Sequence, residues 1–209
     1  MDDVLLWGCH MKRTLMIFAT SVILAVAASA ASAQQKPVRM SGAIVAVDGA
    51  MLTVKAKDGH EQKVKLTDNV AVTGVSKGTL ADIKPNSFVG VGAMPQPDGT
   101  QKAIRVVIFA ESQRGIGEGH RPWDKPNTTM TNATVAKSVK GVDGPVLTVT
   151  YKGGEQKIVV PPDAIILANS AGDRSELKPG AHISVVAQKL ADGTLEAARV
   201  NVGRGGVVP

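Results

Sequence analysis

One short segment, EGHRPWD, holds the side chains of this sequence that are best suited to chemistry. His120 can serve as a base or a metal ligand at neutral pH, and Glu118 and Asp124 place a carboxylate on either side of it. Arg121 and Trp123 are residue types that often anchor a binding partner. One interpretation is therefore a ligand or partner site formed by these five residues.

A second interpretation of the same segment is structural. The segment lies in a long connection rich in Gly, Pro, Ser, Thr and Asn, and Pro122 and Pro126 stiffen the backbone on either side of Trp123. If the indole packs across the junction, it fixes the angle between the flanking domains, with Arg121 paired to a neighbouring carboxylate. A mobile linker is the third interpretation, although disordered linkers seldom hold a Trp beside His and Arg. The sequence leaves all three open.

Metal binding is the main alternative chemistry. Soft thioether ligands select Cu(I), and the residues that could hold a metal here are His120, Met94 and Met130. The other histidines after residue 33, His60 and His182, lie singly beside turns, and no HxxxH or HxH pair occurs. We therefore expect no dedicated metal site and no bound cofactor.

Catalysis has little support in the sequence. There is no G-x-S-x-G motif and no phosphate-binding glycine loop, and the only cysteine, Cys9, lies near the start of the chain. The recurring aspartates stand in Asp-Gly pairs, where the carboxylate usually caps its own turn. We expect a protein that is not an enzyme.

The beginning of the sequence has the features of a secretory signal peptide. A short basic region at 11–13 precedes an apolar run at 15–28, and Ala31-Ser32-Ala33 supplies the small residues that a signal peptidase accepts. This pattern predicts a true start at Met11, cleavage after Ala33 and a periplasmic or secreted protein. The run is short for an uncleaved membrane anchor, and no later run reaches the ~18 residues that a span needs.

The charge of the chain favours an anionic partner. The formal net charge is +6, but the basic residues are scattered singly, a pattern that is also typical of an ordinary solvated strand face. The predicted partners are therefore an anionic ligand or an unknown envelope protein. Specific nucleic-acid binding is not expected, because it requires aromatic platforms and the two repeats described below contain only Phe88, Phe109 and Tyr151. The first two of these are expected in the core.

The elements that position these residues come from an internal repeat. Residues 47–66 resemble residues 142–160, and residues 82–108 resemble residues 176–202. Landmarks at the same spacing in both halves predict an internal duplication. The predicted organisation is a leader (1–33), a first repeat (34–110), a structured linker (111–131), a second repeat (132–203) and an untethered tail (204–209).

Each repeat is predicted to form five strands. Asp-Gly pairs such as Asp48-Gly49 mark hairpin turns, and alternating apolar residues mark the strands between them. The stretch TLADIKP predicts one helical turn with Thr79 as N-cap and Pro85 as its end. The predicted fold is all-β, with two tandem five-stranded OB-like Greek-key barrels. A two-sheet sandwich formed from both halves together is the open alternative.

The repeat pattern VDG…LTV…DG…IKP…V.V…DGT..A..V.V resembles uncharacterised secreted bacterial proteins that carry tandem OB-like repeats of unknown function. The resemblance covers nearly all of the chain after the leader, and it implies the barrels but no chemistry. A more distant likeness to small periplasmic OB-fold proteins that carry copper implies ligation by Met, His and Trp side chains. We expect an exported, non-enzymatic binding or scaffolding module; the alternative is a periplasmic protein that handles Cu or Zn.

Overall fold

The computed structural model describes residues 37–209. The leader and the predicted cleavage site after Ala33 lie outside the described residues. The described part is all-β, as predicted, with twelve strands and three single-turn 3-10 helices. In this part of the chain, no helix has the length and the apolar character needed to cross a membrane.

The strands follow the repeats, with one addition between them. The first repeat forms β1 (Val38–Asp48), β2 (Met51–Ala56), β3 (Glu61–Lys77), β4 (Phe88–Pro95) and β5 (Gln101–Ile108). The connection contributes β6 (Gly119–Pro122). The rest of the chain forms β7 (Thr129–Val139), β8 (Val146–Tyr151), β9 (Gly154–Val159), β10 (Ile165–Ala171), β11 (His182–Lys189) and β12 (Leu195–Gly203). The 3-10 helices are Leu80–Asp82, Glu111–Gln113 and Arg174–Glu176.

The third strand differs between the two repeats. In the first repeat β3 runs without interruption for 17 residues. In the second repeat the corresponding stretch is divided into β9 and β10, and Pro161-Pro162 lies between them. A proline has no backbone N–H to donate to a strand ladder, so two consecutive prolines end the pairing there.

The predicted turns form with small differences. The sequence predicts a turn at Asp48-Gly49, but β1 extends to Asp48, so the two turn residues are Gly49 and Ala50. Gly49 has a φ of 56°, which glycine adopts without strain. The predicted helical turn is the 3-10 helix Leu80–Asp82, with Thr79 at the N-cap. There the Asp82 carboxylate accepts hydrogen bonds from the Thr79 N–H and hydroxyl, both at 2.8 Å.

Ring one is a closed five-stranded barrel in the order β1-β2-β3-β12-β11, with β11 returning to β1. The pairing of β12 with β3 is parallel, and the other four pairings are antiparallel. Alternate residues of each strand point inward and form one buried core, which includes Ile44, Leu52, Val64, Ile183 and Val200.

Ring two has the same cyclic order in the strands β7-β8-β9-β5-β4. It closes through a short parallel pairing in which Gln101 lies opposite Ile158 and Lys102 lies opposite Val159. Its separate core includes Val89, Val91 and Leu147. Both rings therefore place their fourth strand beside their first and their fifth strand beside their third.

The prediction that each repeat closes its own barrel is wrong in one respect. Ring one takes its last two strands, β11 and β12, from the second repeat, and ring two takes β4 and β5 from the first. The exchange follows from β3, which extends beyond ring one and pairs with β10 from Thr73↔Ala171 to Lys77↔Leu167. The chain has thus already reached ring two when β4 begins. Residues 37–209 consequently belong to one compact unit.

The tail is also more firmly held than the sequence predicts. The Arg204 N–H donates to the Val75 carbonyl at 2.8 Å. The Arg204 guanidinium donates to both carboxylate oxygens of Glu176, each at 2.7 Å, and to the Ser170 hydroxyl at 2.7 Å. This bidentate pair joins the end of β12 to the 3-10 helix Arg174–Glu176, so the segment after β12 is anchored at Arg204.

Candidate functional site

The EGHRPWD segment forms a strand rather than an open loop. Within it, β6 pairs antiparallel with β7, from Gly119↔Asn132 to Pro122↔Thr129. The turn beyond β6 is closed by the Trp123 N–H, which donates to the Thr128 carbonyl at 2.9 Å. The side chains of the segment are therefore distributed by the alternation of a strand, and neighbours in sequence point to opposite faces.

The five predicted site residues do not converge on one point. The Glu118 carboxylate accepts a hydrogen bond from the Lys152 N–H at 2.9 Å, and His120 Nδ1 is 2.8 Å from the Thr131 hydroxyl. The His120 ring stacks on Tyr151 with centroids 6.3 Å apart. Arg121 donates to the Gly117 carbonyl at 2.8 Å. The predicted ion pair between Arg121 and Glu118 or Asp124 is therefore wrong, because backbone groups of nearby residues bind the guanidinium and the Glu118 carboxylate instead.

The residues named for a metal are also separated. His120 lies opposite Thr131, whereas Met130 lies opposite Arg121, so the imidazole and the thioether of β6 and β7 point to opposite faces of the sheet. Met94 is 48% exposed near the end of β4. Within residues 37–209 there is no group of three or more His, Cys, Asp or Glu side chains that could hold a metal ion.

Aromatic side chains form a row on the outer face of β4. The inner face carries Val89 and Val91, so Phe88, Gly90 and Gly92 face outward. The Phe109 ring lies over Gly90, where a Cβ would be 2.9 Å from ring carbon Cε2. The indole of Trp123 lies over Gly92, where a Cβ would be 2.7 Å from Cη2 and 2.8 Å from Cε3.

The prediction that Phe88 and Phe109 both lie in the core is correct for Phe88 only. Phe88 is indeed buried, with 3% of its surface exposed, and its ring centroid is 5.4 Å from that of Phe109. Phe109 and Trp123 are only half-buried. The signal in the sequence was the pair Gly90 and Gly92 in the interior of a strand, because such glycines mark the close approach of another group.

The half-buried side chains of Phe109 and Trp123 line a cavity of about 420 Å³, which lies between the outer faces of ring one and ring two. We call it the junction cavity. Ring two contributes residues from β4, β5 and β7, including Gly90, Arg105, Met130 and Asn132. Ring one contributes residues from β1, β11 and β12, namely Arg39, Ser184 and Asn201. The predicted site residues Arg121, Trp123 and Asp124 lie in its wall, whereas Glu118 and His120 do not.

The junction cavity has a positive wall. Its charged lining side chains are those of three arginines, Arg39, Arg105 and Arg121, and of one aspartate, Asp124. Among the described residues, none of these arginines has an acidic partner within salt-bridge distance; the ion pairs there involve Lys65, Arg114 and Arg204. Unpaired guanidinium groups at a half-enclosed site concentrate positive potential and favour an anion.

Two polar atoms in this wall lack hydrogen-bond partners. Asn132 is 6% exposed, and its Nδ2 donates to the Ile116 carbonyl at 2.9 Å while its Oδ1 has no donor. Asn169 donates through Nδ2 to the Gln113 side chain at 3.0 Å, and its Oδ1 is likewise buried without a donor. A buried acceptor left without a donor costs about 1–3 kcal/mol, so a group that supplied N–H or O–H donors here would recover free energy.

A larger cavity lies elsewhere in the described chain. It has a volume of about 740 Å³ at the turn end of ring two, and it includes Asp98, Asp143 and Asp163. Asp98 is engaged in its own turn, because its carboxylate accepts hydrogen bonds from the Thr100 N–H and hydroxyl at 2.9 and 2.7 Å, which lower its pKa. No aromatic ring lines this cavity. We therefore regard the smaller junction cavity as the candidate site.

Comparison of the chain with protein-family models, curated proteins and solved structures finds no match.

Proposed function

We propose that the protein is an exported, non-enzymatic binding module whose ligand is a small anionic molecule held in the junction cavity. The observation that carries this proposal is the set of three arginines around the cavity, Arg39, Arg105 and Arg121, none with an acidic partner. A volume of about 420 Å³ lies in the range of small-molecule sites, which is about 300–1,000 Å³.

The position of the cavity supports a binding role over a purely structural one for Trp123. The indole lies on Gly92 within ring two and lines the cavity, to which ring one also contributes residues. In a staple its ring would be fully covered by the two domains, whereas this ring is half-buried. A half-buried indole beside arginines is the combination that often dominates the affinity of a binding site.

The metal-handling alternative has less support. It requires His120 to act with Met130 or Met94, and the strand pairing directs the His120 and Met130 side chains to opposite faces. His120 also does not line the junction cavity.

We also infer that the chain arose by duplication of an OB-like unit whose two copies exchange strands. Support comes from the constant offset of 94 residues that relates β4 to β11, the start of β5 to that of β12, and the first 3-10 helix to the third. Further support is the ring order in which the first strand lies beside the fourth and the third beside the fifth. That order is the one expected of a closed five-stranded Greek-key barrel.

Binding is tested by calorimetric titration of the full chain with phosphate, pyrophosphate and glucuronate at low ionic strength. We expect at least one anion to bind, and we expect Arg105→Ala to weaken binding about 10-fold or more, because a hydrogen bond to a charged group contributes about 1.5–3 kcal/mol. The matched control is Arg199→Ala. Arg199 pairs with Ala71 as Arg105 pairs with Ile165, but it does not line the junction cavity.

An equal loss in Arg105→Ala and Arg199→Ala would show that only the overall charge attracts the anion, and the proposed site would be wrong. Export is tested separately, by expressing the full chain in a bacterium and sequencing the N-terminus of the periplasmic product. Cleavage after Ala33 is the expected result, and a product that retains residues 1–33 would contradict it.

A further inference from the structure

We infer that the anionic ligand is a single nucleotide, whose base stacks on Trp123 and whose phosphate is bound by the arginines of the junction cavity. This inference rests on the proposed function, since it names the ligand class of the same site. It is carried by three features of the cavity wall: a flat aromatic face, guanidinium groups on both sides of it, and buried oxygens that lack donors.

The indole of Trp123 can lie against the backbone of β4 because Gly92 has no side chain. Because the indole lies directly on Gly92, one face of its six-membered ring is in contact with β4. Trp123 nevertheless lines the cavity and is half-buried, so the opposite face of the ring is the part that a ligand can cover. A planar base stacks on such a face, and each base–aromatic stack changes affinity by about 5- to 150-fold.

The arginines flank this face in register. Gly92 lies opposite Arg105 on one side and opposite Met130 on the other, and Met130 in turn lies opposite Arg121. The four residues form one row across neighbouring strands that are about 4.8 Å apart. The outer face therefore presents the indole between two guanidinium groups. A phosphate attached to a stacked base can reach either one, and guanidinium matches phosphate through paired hydrogen bonds.

The unpaired oxygens distinguish a base from a simple anion. Asn132 lies opposite Gly90, which is two residues before Gly92 on the same face of β4. Asn169 lies opposite Val75, where β3 pairs with β10. Both line the cavity, and the Oδ1 of each lacks a donor. An amino-substituted base supplies two N–H donors in its plane, whereas sulfate or a carboxylate supplies none. The oxo counterpart has only its ring N–H at that edge, so amino-bearing bases should bind better where two oxygens lack donors.

The test is calorimetric titration of the full chain with 5′-AMP, 5′-IMP, adenosine, glucose 6-phosphate and inorganic phosphate. We expect 5′-AMP to bind about 10-fold or more tightly than adenosine, which lacks the phosphate, and than inorganic phosphate, which lacks the base. The replacement of the amino group by a carbonyl oxygen in 5′-IMP should weaken binding several-fold. Glucose 6-phosphate should bind no better than inorganic phosphate.

Variants assign the effect to the cavity. Trp123→Ala should weaken 5′-AMP binding about 10- to 100-fold and leave phosphate binding unchanged, and Trp123→Phe should restore part of the loss. Arg105→Ala should weaken both ligands, with Arg199→Ala as control. In a Trp7→Phe background, Trp123 is the only indole of the chain, and its fluorescence should be quenched by 5′-AMP. The melting curve of each variant checks that it folds.

The outcomes separate the two proposals. If glucose 6-phosphate or glucuronate binds as tightly as 5′-AMP and Arg105→Ala weakens it, the anion site stands and the nucleotide inference is overturned. A short oligodeoxyadenylate that binds much more tightly than 5′-AMP would likewise overturn it, in favour of a single strand. If no anionic probe binds at millimolar concentration, both the nucleotide inference and the anion site are wrong.

Discussion

The strands β4 and β11 occupy the same place in the two rings, but they carry different residues on their outer faces. Their inner faces match: Val89, Val91 and Ala93 in ring two correspond to Ile183, Val185 and Ala187 in ring one, and all are buried. On the outer face, ring two has Gly90 and Gly92 where ring one has Ser184 and Val186.

The consequence is visible in what covers each strand. Phe109 and Trp123 lie on the two glycines of β4, whereas Val186 is 48% exposed. The indole that covers Gly92 belongs to Trp123, which directly follows β6 in the connection after β5. The inner faces thus form the buried cores of both rings, and the two rings differ on the outer faces of β4 and β11.

The largest expected effect concerns the exchange of strands between the rings. Leu52→Ala in the ring-one core and Leu147→Ala in the ring-two core should each lower the free energy of unfolding by about 2–5 kcal/mol, because each leucine is almost fully buried. Since each ring contains strands of both repeats, both variants should unfold in one transition. Urea titration followed by far-UV circular dichroism measures the loss and the number of transitions.

The wild-type chain is the reference for that experiment. Two separate transitions, with only one shifted in each variant, would mean that the rings unfold independently and would contradict the interlocked arrangement.

The next largest effect concerns the difference between the outer faces of β4 and β11. Gly92→Val gives β4 the residue that β11 has, and its Cβ would overlap the indole of Trp123. Overpacking of this kind costs about 1–3 kcal/mol, so we expect a loss of stability in that range, together with displacement of the indole and weaker binding of the anionic ligand. Thermal unfolding, Trp123 fluorescence and calorimetry measure these changes.

Val186→Gly is the reciprocal control. It should cost no more than about 1 kcal/mol, as expected for glycine in a strand, and leave ligand binding unchanged because Val186 does not line the junction cavity. Unaltered fluorescence and binding in Gly92→Val would show that the indole does not depend on the glycine.

The smallest effect concerns the ion pair between Glu176 and Arg204, which ring two lacks at the corresponding positions. The hydrogen bonds from Arg204 lower the pKa of Glu176 to about 2 from an ordinary value of 4.5. The pair therefore stabilises the folded state fully above about pH 4.5, and this contribution is lost as the pH falls towards 2. Glu176→Gln should lower the free energy of unfolding by about 1 kcal/mol at pH 7, given partial exposure to solvent.

Urea unfolding of the variant and the wild type at pH 7 and pH 3 measures this difference, which should shrink at the lower pH. Glu111→Gln is the control. Glu111 pairs with Arg114 three residues away and its side chain is 79% exposed, so its replacement should have a smaller effect. A difference that grows as the pH falls would contradict the assigned sign.

The local features of this protein can be predicted from its amino-acid sequence. Alternating apolar residues define the inner faces of the strands, Gly at 49 permits the first hairpin, and TLADIKP ends strand three with a single helical turn. These features depend on neighbouring residues, on backbone sterics and on side-chain periodicity, so they can be predicted from a short stretch of chain. Of the five residues that the sequence suggested for a site, Arg121, Trp123 and Asp124 line the junction cavity.

The assignment of strands to the two rings depends on long-range packing and could not be predicted. An inward-facing Val or Ile is buried equally well by β4 and β5 or by β11 and β12, and the sequence pattern does not distinguish the two closures. For the same reason Arg39, Arg105, Asn132 and Asn169 could not be assigned to the site, since they come from distant parts of the chain. They meet because β3 extends into ring two and brings the outer faces of both rings to one cavity.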